Sequence, residues 1–324
     1  MSRSRNTGRS SGRPSLWRRA RLAALLGVGV VVLGATAGWD PASETPERPP
    51  ADLAVTPPVA LPVEVNERVM AWMRRFQTDQ RASFERFLTR ETVYSALIRG
   101  KLRERGMPEE LLYLAMIESG FTPGATSPVA AVGMWQFMGP TARQYGLRVD
   151  AWVDERRDPV SATDAALDYL EWLHRRYGSW YLAAAAYNAG PGRVDQALRR
   201  YAGGRKGDED LYWEIIDHLP RETRAYVPKM LAATMLARRA DAYGFSVKRE
   251  GPYRFDRVWV PGGTTLRRVA KALDVPVTLM RDLNPHLVRG VTPPGAPFAL
   301  RIPVGTASGV VAALGGGRSF QADD

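Results

Sequence analysis

Along the first two thirds of the chain, apolar residues recur at spacings of three and four from about residue 63 onward. This spacing is typical of amphipathic helices. It predicts packing helices over 63–105, an apolar helix over 110–119, and further helices over 140–145, 159–177, 180–186, 194–201 and 221–239. Strand-like alternation is weak before Gly244, so we expect a mainly α unit over 63–245.

The pattern changes in the last third of the chain. Residues 258–266 alternate and then turn, as a short strand does, and residues 298–303 have the same character. Two short helical stretches, 267–273 and 278–284, lie between them. We therefore expect a small α+β module over 253–304, and we predict that the Gly- and Ala-rich residues 305–324 form a flexible tail.

The N-terminus has the layout of an export sequence. A run of arginines precedes an uninterrupted apolar stretch at 22–38, which predicts a signal peptide or, alternatively, an uncleaved membrane anchor over 1–38. Residues 39–62 are rich in Pro, Ala, Glu and Thr and predict a disordered linker. We expect the rest of the protein to be exported, periplasmic or in the cell envelope. An uncleaved segment 22–38 would associate it with the cytoplasmic membrane.

Charge and cysteine content narrow the function classes. The formal net charge of +11 favours polyanionic partners. Much of the excess lies in the N-terminal arginine run, which export explains, so we predict no nucleic-acid partner. The chain has no cysteine, which excludes disulfides, thiolate catalysis and cysteine-based zinc sites. Its histidines do not form the H-E-x-x-H spacing of a zinc enzyme, and we predict no metal and no cofactor.

One carboxylate, Glu118, ends the apolar stretch 111–117. A charged side chain in apolar surroundings is costly unless it is paired or neutralised. The C-terminal end of the predicted helix also opposes ionisation. Both effects raise the pKa of Glu118 and favour a protonated general acid. Ser119, which follows it, either orients this acid or caps the helix.

Two later segments, 133–137 and 185–194, contain side chains suited to a carbohydrate-cleaving site. We expect Tyr187 to donate a hydrogen bond to the acid, and the amides of Gln136 and Asn188 to bind sugar hydroxyl and acetamido groups. Apolar faces for sugar rings and close backbone approaches are expected from Met134, Trp135, Phe137, Gly133 and Gly190. The alternative is that these residues are buried and structural.

Three motifs closely resemble those of the soluble-lytic-transglycosylase-like (SLT-like) domain: Ile-Glu-Ser-Gly-Phe at 117–121, Gly-Met-Trp-Gln at 133–136 and Ala-Tyr-Asn-Ala-Gly at 186–190. In order and flanks, residues 63–243 resemble the membrane-bound lytic murein transglycosylases of the D type. This resemblance implies a lysozyme-like helical catalytic domain. Residues 253–304 are similar to a LysM peptidoglycan-binding module, with Gly263 where that module usually has an acid.

The resemblance implies a specific reaction. Glu118 would protonate the β1,4 bond between N-acetylmuramic acid (MurNAc) and N-acetylglucosamine (GlcNAc), and then take the proton of the muramyl 6-hydroxyl to give a 1,6-anhydro-MurNAc end. The partner would be peptidoglycan glycan strands, and the enzyme a monomer. Glu118 and Tyr187 are expected to be catalytic, and the following residues to bind substrate: Ser119, Gly133, Met134, Trp135, Gln136, Phe137, Asn188, Ala189 and Gly190.

Most glycosidases instead use two carboxylates, about 5 to 9.5 Å apart. No second acid lies in the three motifs, and the acids at 150, 154, 155 and 158 are typical of a surface or helix-capping stretch. Two alternatives remain open: a lysozyme-like muramidase that uses water and a second acid, and a non-catalytic wall-binding protein. The presence of Glu118, Gln136 and Tyr187 argues against the second.

Overall fold

A computed structural model describes residues 60–314 and 319–320. The predicted signal or anchor and nearly all of the predicted linker lie outside these residues. Within them, no helix has both the length and the apolar character needed to cross a membrane. The helices of the first unit are α1 Glu67–Gln77, α2 Arg81–Glu104, α3 Leu112–Ser119, α4 Gly139–Gln144, α5 Pro159–Tyr177, α6 Trp180–Ala189, α7 Pro191–Tyr201, α8 Asp210–Ile215 and α9 Arg221–Arg238.

Helix α6 lies at the centre of this unit. Its residues 180–186 are at most 7% exposed, as expected for a helix that is apolar on all faces. Helices α5, α7, α8 and α9 pack around it, and α9 also packs against α1 and α3. Because α3 is likewise apolar and buried from Leu112 onward, its C-terminal end is held inside the protein.

The second unit is a small sheet with helices. Its elements are β1 Asp256–Val260, α10 Leu266–Ala272, α11 Val277–Leu283, β2 Phe298–Ile302, α12 Ala307–Leu314 and β3 Ser319–Phe320. The strand order is β2-β1-β3, and β1 pairs antiparallel with both neighbours. The predicted mainly α unit followed by a small α+β module is confirmed.

The prediction of a flexible tail after residue 304 was wrong where the structure describes that segment. Helix α12 packs against the module, with Val310 only 1% exposed, and β3 pairs with β1. The many glycines and alanines in this segment gave no helical periodicity, so the sequence pattern did not predict this short apolar helix.

The two units are joined by polar and apolar contacts between 153–158 and the module. Val153 belongs to the hydrophobic core of the module and forms an isolated β-bridge with Leu287. Asp158 is only 3% exposed and lies 2.7 Å from the guanidinium of Arg301. Asp158 also caps α5, as predicted for this acidic stretch, but it is buried at the junction rather than on the surface.

Candidate active site

Glu118 lies in the last turn of α3, which ends at Ser119 and is capped by Gly120 in the left-handed conformation. Its side chain is almost completely buried, with 4% of the residue exposed. Oε1 accepts a hydrogen bond of 2.6 Å from the Tyr226 hydroxyl, whereas Oε2 is buried without a hydrogen-bond partner among the described residues. Burial raises the pKa of Glu118 to about 7, against the lowering effects of the Tyr226 hydrogen bond and the Lys229 charge.

Helix α9 supplies the polar groups around this carboxyl. Residues 222, 226 and 229 are spaced by four and three and therefore share one helix face. The Lys229 ammonium donates to the carbonyl of Ile117, 3.1 Å away. Burial lowers the pKa of Lys229 to about 8, and the charges of Glu118 and Glu222 oppose this shift. Lys229 thus places a positive charge beside the acid.

Tyr226 and Lys229 were not predicted from the sequence. Both lie more than one hundred residues from Glu118 and outside the three motifs. The available signal was weak: polar residues at helical spacing on an amphipathic helix. Only the packing of α9 against α3 brings them to the carboxyl.

Tyr187 does not donate to Glu118, which corrects the expected hydrogen bond. Its hydroxyl donates to the carbonyl of Trp135 at 2.8 Å, and its ring packs edge-on against Phe137. Burial raises the pKa of Tyr187 well above its usual value, and the Glu118 charge raises it further. Tyr187 is therefore a neutral donor close to the acid that ties α6 to the segment 133–137.

This segment has a backbone shape that restricts its sequence. Gly133 has φ +88°, and a Cβ there would lie 1.7 Å from the carbonyl oxygen of Arg156, so only glycine fits. Gln136 has φ +50°, which is unusual for a residue with a side chain. Its amide Nε2 donates to the Gly133 carbonyl at 2.7 Å. The predicted sugar-binding amide is thus engaged with its own loop.

Ser119 connects the end of α3 to the same loop. Its hydroxyl donates to the Met134 carbonyl at 2.9 Å and accepts from the Thr122 amide at 3.1 Å. The Glu118 carboxyl takes no part in these bonds. Ser119 therefore fixes the loop relative to the helix that carries the acid.

The apolar side chains of the second motif are core residues. Met134, Trp135 and Phe137 are 1%, 0% and 3% exposed, and the indole nitrogen of Trp135 donates to Thr163 at 3.0 Å. In this conformation they offer no open face for a sugar ring, which corrects the stacking expectation. Their packing in the core fixes the position of the segment 133–137.

The third motif, residues 186–190, lies at the C-terminal end of α6. The Asn188 amide donates to Glu222 at 3.2 Å and accepts from Thr223 at 2.8 Å, so it joins α6 to α9. Ala189 and Gly190 are half-buried, and Gly190 has φ +82° at the turn into α7. Together the motifs build a buried niche around one carboxyl group that is poised to exchange a proton near neutral pH.

Comparisons with known proteins give a match for each of the two units. Residues 95–209 match the family model described as Transglycosylase SLT domain, and residues 254–316 match that of the Lytic transglycosylase MltD, LysM-like domain. The chain thus carries an SLT domain followed by a LysM-like domain, as the sequence resemblance implied.

Individual relatives are similar over part of their length. The chain is 36% identical over 193 residues to membrane-bound lytic murein transglycosylase D of Escherichia coli strain K12, covering 59% of this chain and 42% of that protein. It is 32% identical over 125 residues to the soluble lytic murein transglycosylase of the same strain, covering 37% and 19%. A solved structure of an inactive mutant of lytic transglycosylase Slt from Pseudomonas aeruginosa is 27% identical, covers 48% of this chain and 25% of that one, and has a TM-score of 0.37. The matched region is less than half the length of each relative.

Proposed function

We propose that this protein is a peptidoglycan lytic transglycosylase that uses Glu118 as its single acid and base. The observation that carries this proposal is the state of one carboxyl group. Glu118 is buried, its pKa is raised to about 7, and one of its oxygens is held by Tyr226 while the other has no partner in the described part of the chain. The lytic murein transglycosylases to which the chain is similar supply the substrate class.

The reaction needs two proton transfers through one carboxyl group: the first proton leaves with the departing sugar oxygen, and the second comes from the muramyl 6-hydroxyl. Protonated Glu118 donates from Oε2 to the glycosidic oxygen between MurNAc and GlcNAc, and the bond to the anomeric carbon breaks. The substrate's own N-acetyl group stabilises the electron-poor carbon. The carboxylate then takes the proton of the muramyl 6-hydroxyl as that oxygen bonds to the anomeric carbon, which gives the 1,6-anhydro end and restores the acid. A pKa near the working pH suits both steps.

The neighbours of Glu118 have distinct roles in this proposal. The Tyr226 hydroxyl fixes Oε1 and leaves Oε2 to reach the substrate. The Lys229 charge stabilises the carboxylate formed after the first transfer. Tyr187 assists as a neutral hydrogen-bonding group beside the acid, and the segment 133–137 with Asn188, Ala189 and Gly190 shapes the glycan-binding surface through its backbone.

A hydrolytic muramidase remains the second candidate because a second acid lies near the first. The charge of Glu222 raises the pKa of Glu118, as expected for a like charge nearby. One oxygen of Glu222 accepts a hydrogen bond from the Asn188 amide. In a hydrolase it would activate a water molecule.

The wider organisation is part of the same proposal. Residues 63–245 form the catalytic domain, and the LysM-like module at 253–304 binds peptidoglycan. The N-terminal arginine and apolar segments export the protein to the periplasm or cell envelope, where segment 22–38 serves as a signal peptide or a membrane anchor.

Digestion of purified sacculi tests the reaction class. The products are analysed by mass spectrometry, because anhydro ends lack the water that hydrolysis adds. We expect anhydro-MurNAc ends from the wild-type chain and none from Glu118→Gln. Reducing MurNAc ends would identify the hydrolase, and Glu222→Gln would then abolish the reaction.

A further inference from the structure

A surface cavity of about 350 Å³ lies between α1 and α9 and has a strongly basic lining. Apart from two alanines, it is formed by Arg68, Trp72, Arg75, Arg221, Arg224 and Pro228. The tryptophan ring, the proline and the arginine stems give it mainly apolar walls, and four arginines contribute to its lining. Such a combination favours a ligand that carries both carboxylates and short apolar groups.

Two of the four arginines are already engaged within the protein. Arg68 donates to Asp217 at 2.7 Å, and Arg224 donates to the Leu219 carbonyl at 2.7 Å. The side chains of Arg75 and Arg221 are exposed, and neither forms a salt bridge with a carboxylate in residues 60–314. The Arg75 guanidinium lies 5.1 Å from the centre of the Trp72 ring, a contact that does not neutralise its charge. Two positive charges at the cavity can therefore attract an external anion.

The cavity adjoins the catalytic carboxyl through Lys229. On α9, successive residues turn by about 100°, so Lys229 lies between the face of Tyr226 and the cavity face with Arg221 and Pro228. The Lys229 ammonium donates to the Ile117 carbonyl and lies 5.6 Å from the centre of the Trp72 ring. A ligand in the cavity and a sugar at Glu118 would thus lie on either side of one lysine.

We propose that this arginine–tryptophan cavity binds the carboxylate-bearing peptide stem of peptidoglycan while its glycan strand occupies the site at Glu118. This inference rests on the proposed function, which supplies the substrate. The stem peptide branches from the muramyl residue and carries free carboxylates together with small aliphatic side chains. The guanidinium groups of Arg75 and Arg221 pair with the carboxylates, and the aliphatic groups lie against Trp72 and Pro228.

An anionic membrane surface is the other polyanion that arginines attract. The cavity favours the peptide because it is concave and adjoins the catalytic acid, whereas a bilayer presents a broad plane. Its apolar walls also suit a short branch of the substrate. The experiment therefore includes lipid vesicles as a separate arm.

The test measures binding by the full chain carrying Glu118→Gln, so that strands stay intact. Soluble peptidoglycan strands are compared with the same strands whose carboxylates have been converted to neutral methylamides. Each exposed arginine–carboxylate contact contributes roughly threefold to affinity. We expect methylamidation to weaken binding about tenfold, and Arg75→Gln/Arg221→Gln to weaken binding of untreated strands by the same factor and to abolish the difference between the strands.

The matched control is Arg74→Gln/Arg199→Gln, which removes two exposed arginines that do not line the cavity. It has the same net charge as the cavity variant, and we expect it to retain the tenfold preference for untreated strands. Thermal unfolding of both variants verifies that they fold.

The proposal is overturned if the parent protein binds both strand preparations equally, or if the cavity and control variants lose affinity equally. It is also overturned if the cavity variant keeps its preference but loses binding to vesicles of phosphatidylglycerol and phosphatidylcholine. The proposed function fails separately: wild-type protein would then leave no anhydro ends on sacculi, whatever the strand preference of the Glu118→Gln chain.

Discussion

Glu118 and Asp158 are both buried carboxyl groups at helix ends, yet their surroundings shift their pKa values in opposite directions. Glu118 lies at the C-terminal end of α3, accepts one side-chain hydrogen bond, and has a pKa raised to about 7. Asp158 caps the N-terminus of α5, pairs with Arg301, and has a lowered pKa. Burial raises the pKa in both cases, but at Asp158 the Arg301 charge, together with the hydrogen bonds, outweighs it, whereas at Glu118 the Tyr226 hydrogen bond and the Lys229 charge do not.

The comparison separates a chemical role from a structural one. Both oxygens of Asp158 contact the Arg301 guanidinium, and Oδ1 also accepts from the backbone amides of Val160 and Ser161. No proton is needed there, and the group joins the two units. Among the residues that the structure describes, Glu118 lacks such a set of donors and has no direct ion pair, so its raised pKa favours the protonated form that the proposed mechanism requires.

The largest expected effect is on catalysis. Glu118→Gln removes the transferable proton and should lower the rate of sacculus cleavage about a thousandfold. Its fold should remain intact, because the amide keeps the Tyr226 hydrogen bond and avoids a buried charge. The measurement is the release of soluble muropeptides. Glu104→Gln, an exposed residue at the end of α2, is the control and should cleave at the wild-type rate.

Removal of the partner of Asp158 should instead reduce stability. Arg301→Met leaves a buried carboxylate without its guanidinium and should lower the free energy of unfolding by about 3 to 5 kcal/mol. Urea denaturation measures this loss. Arg267→Met removes an exposed arginine of the same module and should change stability by less than about 0.5 kcal/mol. Equal stability of the two variants would refute the structural role of the pair.

The two carboxyls should also give stability opposite pH dependences. Glu118 has an ordinary pKa of 4.5 and a folded-state pKa of about 7, so the folded protein holds a proton that the unfolded chain releases in this window. Its contribution is complete below pH 4.5 and is lost as the pH rises through 7, by about 3 kcal/mol in total. Asp158, with its lowered pKa, contributes above its ordinary value of 3.8 and loses that contribution as the pH falls.

Urea unfolding of wild type and Glu118→Gln between pH 4.5 and 8 isolates the first contribution. The wild-type protein should lose stability relative to the variant as the pH rises. Parallel curves for the two proteins would show that Glu118 ionises normally in the folded state.

The smallest expected effect comes from the hydrogen bond to Oε1. Tyr226→Phe removes a donor that stabilises the carboxylate, so the pKa of Glu118 should rise further. The alkaline limb of the kcat/KM profile should move to higher pH by about one unit, and kcat should fall about tenfold as the carboxyl loses its fixed orientation. Tyr201→Phe, at an exposed tyrosine, should leave the profile unchanged. An unshifted profile for Tyr226→Phe would remove Tyr226 from the mechanism.

The sequence predicted the parts of the site that depend on local pattern. Apolar periodicity identified α3 as a buried helix, and the lone charge at its end predicted the raised pKa of Glu118. The glycine at 133 predicted a close backbone approach, which the carbonyl of Arg156 makes. These features follow from neighbours within a few residues.

Features that depend on packing between distant segments could not be predicted. Tyr226 and Lys229 reach Glu118 only because α9 packs against α3, and their helical spacing is too weak a signal to predict this contact. The predicted partner of Tyr187 was wrong for the same reason, because its hydroxyl donates to the Trp135 carbonyl and not to Glu118. Asp158 resembled a surface capping residue because Arg301, its partner, lies 143 positions away.

The most direct test is the titration of the Glu118 carboxyl itself. Carbon-13 NMR of side-chain-labelled glutamate, assigned by comparison with Glu118→Gln, follows its ionisation in the folded protein. We predict a midpoint of about 7 for this group, whereas exposed glutamates titrate near 4.5. A midpoint near 4.5 for Glu118 would contradict the claim that a single buried carboxyl serves first as the acid and then as the base of the reaction.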